Sequence, residues 1–481
     1  MAPSDFAPLT FEELDPERRP SLGLALLPVV ALVAFLGVGS AVLELDPHVP
    51  LLWSILFVAL VGRYGVDLRW DDLFDGVARG LNMGLQALLI IFTIYALIAT
   101  WTSAGTIPAL MYYGLDLLSP AVFLPAAALL AAVVAFSIGS SWTTVGTLGV
   151  AFVGIGSGLG VPAPMTVGAV LSGAYAGDKQ SPLSDTTNLA AGVTNTDLYD
   201  HIRAMRVGTA AAFGVAVLAY AALGLRAAGD IPVDRVAAIQ TALAGTYELS
   251  PVVFLPLVVT FGLALRGSPA LPALVAGALA GVGTTIAVQG GSFAGAWEVF
   301  MYGTSPETGA KLVDDLLASD GLVGSSWTIT VVVAALALGG LLEKTGVLAV
   351  LAHRLSKSVS GVGGLVAGTG VAAAATNALT AQQYMSIVVP GLTLRNLYDE
   401  YDLDSSDLSR AVEAAGTPTG ALIPWHAGGV YMATVTGVAT LSYAPYYLFG
   451  FLSPLVLFVM AVTGWRLARS EPATPTAGAA D

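Results

Sequence analysis

Two aspartates, Asp178 and Asp185, stand seven positions apart in the stretch Gly177-Asp-Lys-Gln-Ser-Pro-Leu-Ser-Asp-Thr-Thr-Asn188. Oxygen-bearing side chains crowd around them, among them Ser184, Thr186 and Asn188. A hard cation is held by oxygens, and carboxylates backed by hydroxyls, amides and freed carbonyls supply them. Pro182 works against a continuous helix here, so backbone carbonyls are released where the chain breaks. The plainer alternative is a solvated loop between helices. A second break lies downstream at Glu413-Ala-Ala-Gly-Thr-Pro-Thr-Gly-Ala-Leu-Ile-Pro-Trp-His426, which contributes Glu413 and Thr417. Glu413 sits in a short apolar stretch, where a carboxylate is expensive and marks function by default. Pairing with Arg410, three residues earlier, is the structural alternative. Two uncharged clusters complete the set: Ser137-Ile-Gly-Ser-Ser-Trp-Thr-Thr144, with Ser141 and Thr143, and Thr376-Asn-Ala-Leu-Thr-Ala-Gln-Gln-Tyr384, with Asn377, Thr380 and Gln383. They suit solute recognition or sodium coordination, or else serve as hydrogen-bond glue between helices.

Other chemistry is poorly served. There is no cysteine, and the four histidines are scattered without metal-ligand spacing. His201, beside Asp200, reads as an interfacial residue, and Glu343 and Lys344 as a pair snorkelling at a membrane end. The glycine-rich Gly154-Ile-Gly-Ser-Gly-Leu-Gly160 has no preceding strand, so it is no nucleotide loop. The Gly-Ser-Ser-Trp tetrad at Gly324–Trp327 reads as coincidence or a cap. Gly177-Asp178 lacks the upstream Tyr-Asp partner that an intramembrane aspartyl protease would need. No enzymatic activity or cofactor is expected.

The elements that must position these residues are membrane helices. Of 481 residues, 56% are hydrophobic and 11% charged, against about 25% charged in a soluble domain. No Asp, Glu, Lys or Arg occurs between Arg79 and Asp116, nor between Asp116 and Asp178. A soluble fold would need polar faces in stretches that long, whereas hydrocarbon solvent does not ask for them. Runs long enough to span give roughly 11 to 13 segments, counting broken helices or re-entrant hairpins. The fold expected is all-α and polytopic. The net charge of −14 with no basic patch argues against nucleic acid. The acids gather in aqueous segments, and Arg outnumbers Lys, as on proteins from high-salt habitats. Residues 1–21 lack a signal peptide and read as an acidic cytoplasmic tail. Arg18 and Arg19, Arg63 to Arg79, Arg203, Arg266, Lys344 to Lys357 and Arg466 mark cytoplasmic ends, with both termini inside. Residues 230–250 and 291–325 read as outside loops.

An internal repeat appears at a spacing of roughly 240 residues. Gly105 falls on Gly346, Gly177 on Gly416 and Leu183 on Leu422, with similar apolar runs between. The loop at 101–120 has no Lys or Arg, while its counterpart at 344–357 has three. The two halves therefore insert oppositely, as in many secondary transporters. The expected organisation is membrane helices at 22–79, transport repeat 1 at 80–226, linker helices and outside loops at 227–325, repeat 2 at 326–468 and a disordered tail at 469–481.

The motifs around residues 139–145, 173–188 and 196–202, with Thr376-Asn377, Gln383 to Ile387, Ser409-Arg410, Glu413, Gly416-Thr417 and Leu422-Ile-Pro-Trp425, resemble the NhaC family of sodium/proton antiporters over about residues 25 to 465. The pattern departs at His426, where Asn commonly follows Pro-Trp, and at Gly420-Ala421, where a Ser-Pro pair is common. The resemblance implies exchange of Na+ for H+ in the plasma membrane by alternating access. Asp178 and Asp185 would bind sodium and protons competitively, with Ser141, Thr143, Ser184, Thr186, Asn188, Asn377, Thr380, Gln383, Glu413 and Thr417 as further ion or substrate ligands. The alternative is coupled transport or exchange of small organic acids, such as malate and lactate, or of amino acids. The expected partners are the bilayer, the small cation or solute, and a second copy of the chain in a homodimer.

Overall fold

The computed structural model describes residues 9–227 and 233–467. The expected tail at 469–481 and the first eight residues lie outside it. Helix α1 (Leu22–Leu36) starts where Ser21 Oγ accepts the Leu24 N–H at 3.3 Å, satisfying one of the donors that a helix start leaves open. It runs on as a π-helical turn at Gly37–Val42. Then come α2 (His48–Gly65) and the long α3 (Trp70–Ser103), which opens with the Arg69 N–H donating to Asp72 Oδ2 at 3.0 Å.

Helices α4 (Thr106–Leu117), α5 (Pro120–Ile138), α6 (Ser141–Gly158), α7 (Ala163–Asp178), α8 (Asp185–Thr194) and α9 (Leu198–Ala227) follow. The first expected outside loop is largely helical. Helix α10 (Val233–Thr246) meets the segment that contains α11 (Leu255–Leu265) at 93°. After α12 (Ala270–Ala287), the second expected loop folds into α13 (Phe293–Tyr302) and α14 (Lys311–Leu317). Its last residues already belong to α15 (Gly321–Lys344). The chain closes with α16 (Val347–Ser358), α17 (Gly361–Thr380), α18 (Gln383–Thr393), α19 (Arg395–Glu400), α20 (Ser405–Thr419), α21 (Ala427–Thr436), α22 (Thr440–Tyr443) and α23 (Leu448–Thr463).

Among the described residues eight helices are long and apolar enough to cross a bilayer, or ten when each of two bent pairs counts as one span. The rest of the membrane count expected from sequence consists of the broken pieces around α6–α8 and α18–α21. Large apolar side chains such as Val30, Val33, Leu56, Val133 and Leu218 are exposed on the outer helices. Lipid, not water, is the solvent for such a surface. The protein is a polytopic all-α membrane protein.

Parts of the two halves correspond. Helices α4 and α16 each have 12 residues and each begins after a left-handed glycine, Gly105 (φ +82°) and Gly346 (φ +74°). Helices α5 and α17 each end on a left-handed residue, Gly139 (φ +72°) and Ala381 (φ +54°). An extended cap follows in both, Ser140 before α6 and Gln382 before α18. The halves touch through α3 and α15. A Cβ on Gly80 would stand 2.2 Å from Leu336 O, and one on Gly340 2.1 Å from Gly76 O. Small residues here allow backbone-to-backbone contact without a polar glue.

Candidate functional site

Helix α7 is held against α5 by Gly173 and Gly177, where added Cβ atoms would lie 1.9 Å from Ala128 O and 2.1 Å from Ala132 O. This contact fixes the end of α7, so Asp178 arrives beside the gap between α5 and α6. The helix stops there, residues 179–184 form a turn, and α8 restarts with Ser184 Oγ accepting the Thr187 N–H at 3.4 Å. Asp178 is 2% exposed. Its Oδ2 accepts the Ser141 N–H, from the first residue of α6, at 3.1 Å, while Oδ1 has no partner. An anion at a helix N-terminus gains from the unpaired N–H groups and the helix dipole. Asp185 is exposed by contrast. It receives the Thr186 N–H at 2.8 Å and a short hydrogen bond from the Tyr384 hydroxyl of α18. One aspartate thus reaches the break of the first repeat and the other reaches the break of the second.

Both line a cavity of about 250 Å³. Besides the two aspartates, its wall consists of residues 138–142, 382–384, Leu183, Thr186, three residues of α3 (Gln86, Ala87 and Ile90), Ala264 and residues 267–270. No Lys or Arg lies in that wall, so its formal charge comes from the two carboxylates alone. The N-terminal ends of α6, α8 and α18 converge on it, their first N–H groups received by Asp178, Ser140, Asp185, Ser184 and Gln382.

The sequence candidates divide. Asp178, Asp185, Ser141, Thr186 and Gln383 line the cavity, and Ser184 sits directly behind, 3.1 Å from Thr186 Oγ1. Six others are placed elsewhere. Asn188 donates to Pro182 O at 2.9 Å and Ser184 O at 2.7 Å, tying up the freed carbonyls of its own break. Asn377 donates to Gly416 O, in a short contact, and to Thr419 Oγ1 at 2.9 Å, while its Oδ1 meets His426 Nε2 at 3.0 Å. Thr380 returns its hydroxyl to Thr376 O at 2.7 Å. Thr143 and Thr417 are buried off the cavity wall with hydroxyls that lack partners. Broken helices leave backbone acceptors to be satisfied inside the protein, and Asn188, Asn377 and Thr380 donate to backbone carbonyls rather than to the cavity.

Glu413 is also off the wall and is fully buried. Its partner is not Arg410, which pairs with Asp407. His201 Nε2 lies 2.6 Å from Glu413 Oε2, a close contact without hydrogen-bond alignment. Thr186 and Thr187 donate to Oε1 at 3.3 and 3.2 Å, and Ser409 Oγ meets His201 Nδ1 at 2.6 Å. His201 is therefore a core residue, where the sequence suggested an interfacial one. Glu343 likewise pairs with Arg79 at 3.4 Å and is buried. Several polar residues of the wall were not singled out as ligands in the sequence, among them Gln86, Ser140 and Ser268. Tyr384 and Gln382 belong to the polar cluster read there, but only the cap geometry turns them inward. Lys179 is fully buried next to Asp178, with Nζ donating to Ser453 Oγ at 3.0 Å and lying 5.3 Å from the Phe449 ring centroid.

A sequence model described as "Na+/H+ antiporter family" matches residues 19–178 and 173–465. The chain belongs to that family. This antiporter is 54% identical over 471 residues, 97% of either chain, to the arginine/ornithine antiporter ArcD of Halobacterium salinarum. It is 36% identical to the Na(+)/H(+) antiporter NhaC of Alkalihalophilus pseudofirmus, over 95% of this chain and 98% of that one. It is 34% identical to the malate-2H(+)/Na(+)-lactate antiporter of Bacillus subtilis, over 85% and 87%. The relatives share antiport and differ in what they exchange.

Proposed function

We propose that this antiporter exchanges cationic amino acids of the arginine and ornithine class, with Asp178 and Asp185 as the cation-binding pair. The observation that carries the reading is the size and charge of the cavity. At about 250 Å³ it far exceeds the roughly 10–15 Å³ that one water needs, so it has room for an organic solute. Its wall offers two carboxylates for a guanidinium or ammonium group. The positive dipole ends of the converging helices favour an α-carboxylate. A wall with two acids and no base disfavours a dicarboxylate such as malate. The 54% relative adds direct support. Antiport follows from one site serving both solutes in turn: each cation displaces the other, and the halves rock only when the carboxylates are neutralised. The charge pattern supports both termini lying in the cytoplasm and the cavity opening there, because its residues 267–270 adjoin Arg266.

Sodium/proton exchange is the second reading, favoured by the family match and the Alkalihalophilus relative. The same two carboxylates would then alternate between Na+ and H+. Proteoliposomes loaded with ornithine and given labelled arginine separate the two. Uptake is expected to require internal ornithine or arginine, to need no Na+ gradient, and to fall at least about tenfold in Asp185→Asn, the worth of one lost charge-assisted contact. Sodium-driven proton flux without arginine uptake would replace this reading with the second.

A further inference from the structure

A second cavity, of about 360 Å³, lies along the same two helices that wall the first. On α3, Gln86 and Ile90 face the first cavity, and Tyr95 and Thr102 face the second. On α6, Ser141 faces the first, and Val150 and Ser157 the second. Both cavities therefore share one axis. The charged residues of the second are again acids only, Asp315 and Asp320. Lys311 neutralises Asp315 at 2.9 Å, whereas Asp320 has no ion pair among the described residues. Thr102 is 1% exposed, and its hydroxyl has no partner within the protein although the residue lines this space.

Between the cavities stands a plug. The Trp142 and Tyr431 rings stack with centroids 4.5 Å apart and planes 13° apart, and the Tyr431 hydroxyl donates to Trp142 O at 2.8 Å. A Cβ on Gly146 would fall 2.4 Å from Tyr431 Oη and 2.5 Å from Ile94 Cδ1, so the stack is seated without a gap. From residue 142 to residue 150 the helix rises about 12 Å, which sets the thickness of the barrier. Trp142 stands in the first turn of α6, and Tyr431 on α21, whose cap His426 is held by Asn377 of α17. The plug is thus built from both repeats, and sliding one against the other parts it.

We propose that the cavity around Thr102, Ser157 and Asp320 is an access site that holds the same class of cationic solute, from the opposite side of the membrane, before it reaches the shared exchange site, and that the Trp142–Tyr431 stack on Gly146 is the barrier between the two. The proposal rests on the transport reading but not on which cation is carried. The chain has no cysteine, so single replacements are reporters in the full-length protein. Ser157→Cys and Ser268→Cys are made separately, reconstituted in one orientation, and treated from either face with a small impermeant methanethiosulfonate. Ser157→Cys is expected to react from one face only and Ser268→Cys from the other. Adding Trp142→Ala is expected to raise the reaction of Ser157→Cys from its far face at least tenfold. Tyr431→Phe, which keeps the ring, gives a smaller rise and serves if the tryptophan variant does not fold. Reaction of both cysteines from the same face, or far-face labelling unchanged in Trp142→Ala and Tyr431→Phe, overturns the proposal. Arginine, ornithine or Na+ added at the reactive face is expected to slow the labelling of Ser157→Cys, and labelling unchanged by all three removes binding from this cavity.

Discussion

Tyr384 donates to Asp185 across the boundary between the repeats, which makes it a test of how the site is tuned. Removing its hydroxyl leaves the carboxylate charged but less well held, and a hydrogen bond to a charged group is worth about 1.5–3 kcal/mol. Tyr384→Phe should raise the KM for the cation about tenfold while leaving the maximal exchange rate within a factor of a few, measured by initial uptake in proteoliposomes. His201 makes a different prediction. It faces Glu413 in a site with no exposure for either side chain, and breaking a buried pair typically costs about 3–5 kcal/mol. His201→Ala should lower the unfolding midpoint sharply, and Glu413→Gln added to it should recover part of the loss. If the losses in His201→Ala and Glu413→Gln made separately simply add in the double variant, the pair is not energetically coupled. This contact was not legible in the sequence. Two residues 212 positions apart meet only because α8, α9 and α20 pack together, and a histidine beside Asp200 looks interfacial by local rules.

At the scale of elements, the breaks were the legible part. Pro182 announced the break after α7, and the polar clusters at 137–144 and 376–384 marked the other two, although their composition reads as ligands or interhelical glue and not as caps. The structure puts a left-handed residue immediately before each of these two caps. At Gly139 that conformation is free of strain, and the site is also crowded: a Cβ would lie 2.5 Å from the Leu183 carbonyl carbon. At Ala381 the same conformation is strained, because an L-residue there costs roughly 1–2 kcal/mol. Ala381→Gly should therefore stabilise the protein by about 1 kcal/mol, read as a raised unfolding midpoint in detergent. No gain would show that Ala381 is relieved by its surroundings. What the sequence could not show was which polar residues face the cavity. Asn188, Asn377 and Thr380 carry the same chemistry as Thr186 and Gln383, and only the direction of each side chain after its break separates wall residues from those consumed by freed carbonyls.

The whole molecule carries a net charge of −14, and its acids cluster in segments between the candidate membrane spans, such as 399–407 and 314–320. The segment 399–407 holds five of them, of which Asp407 is neutralised by Arg410. In the opposite acidic stretch, hydrogen bonds from the Thr308 hydroxyl and N–H hold the Asp314 carboxyl below the usual carboxylate range. Its contribution to stability is full above the unfolded-state value and is lost only as pH falls through the lowered one, so this charge persists at neutral pH. Like charges on short loops repel one another and work against the packed ends of the helices. Raising KCl from about 0.1 M to about 1 M shortens the Debye length from about 10 Å to about 3 Å. The repulsion between exposed acids should then vanish, while the buried pairs His201–Glu413 and Asp407–Arg410, shielded from ions, are unaffected. The unfolding midpoint should climb steadily over that range and fall again when the acids are left unscreened at low salt. A neutral osmolyte at matched osmolarity separates screening from general exclusion: if sucrose raises the midpoint as much as KCl does, surface charge is not what limits this protein's stability.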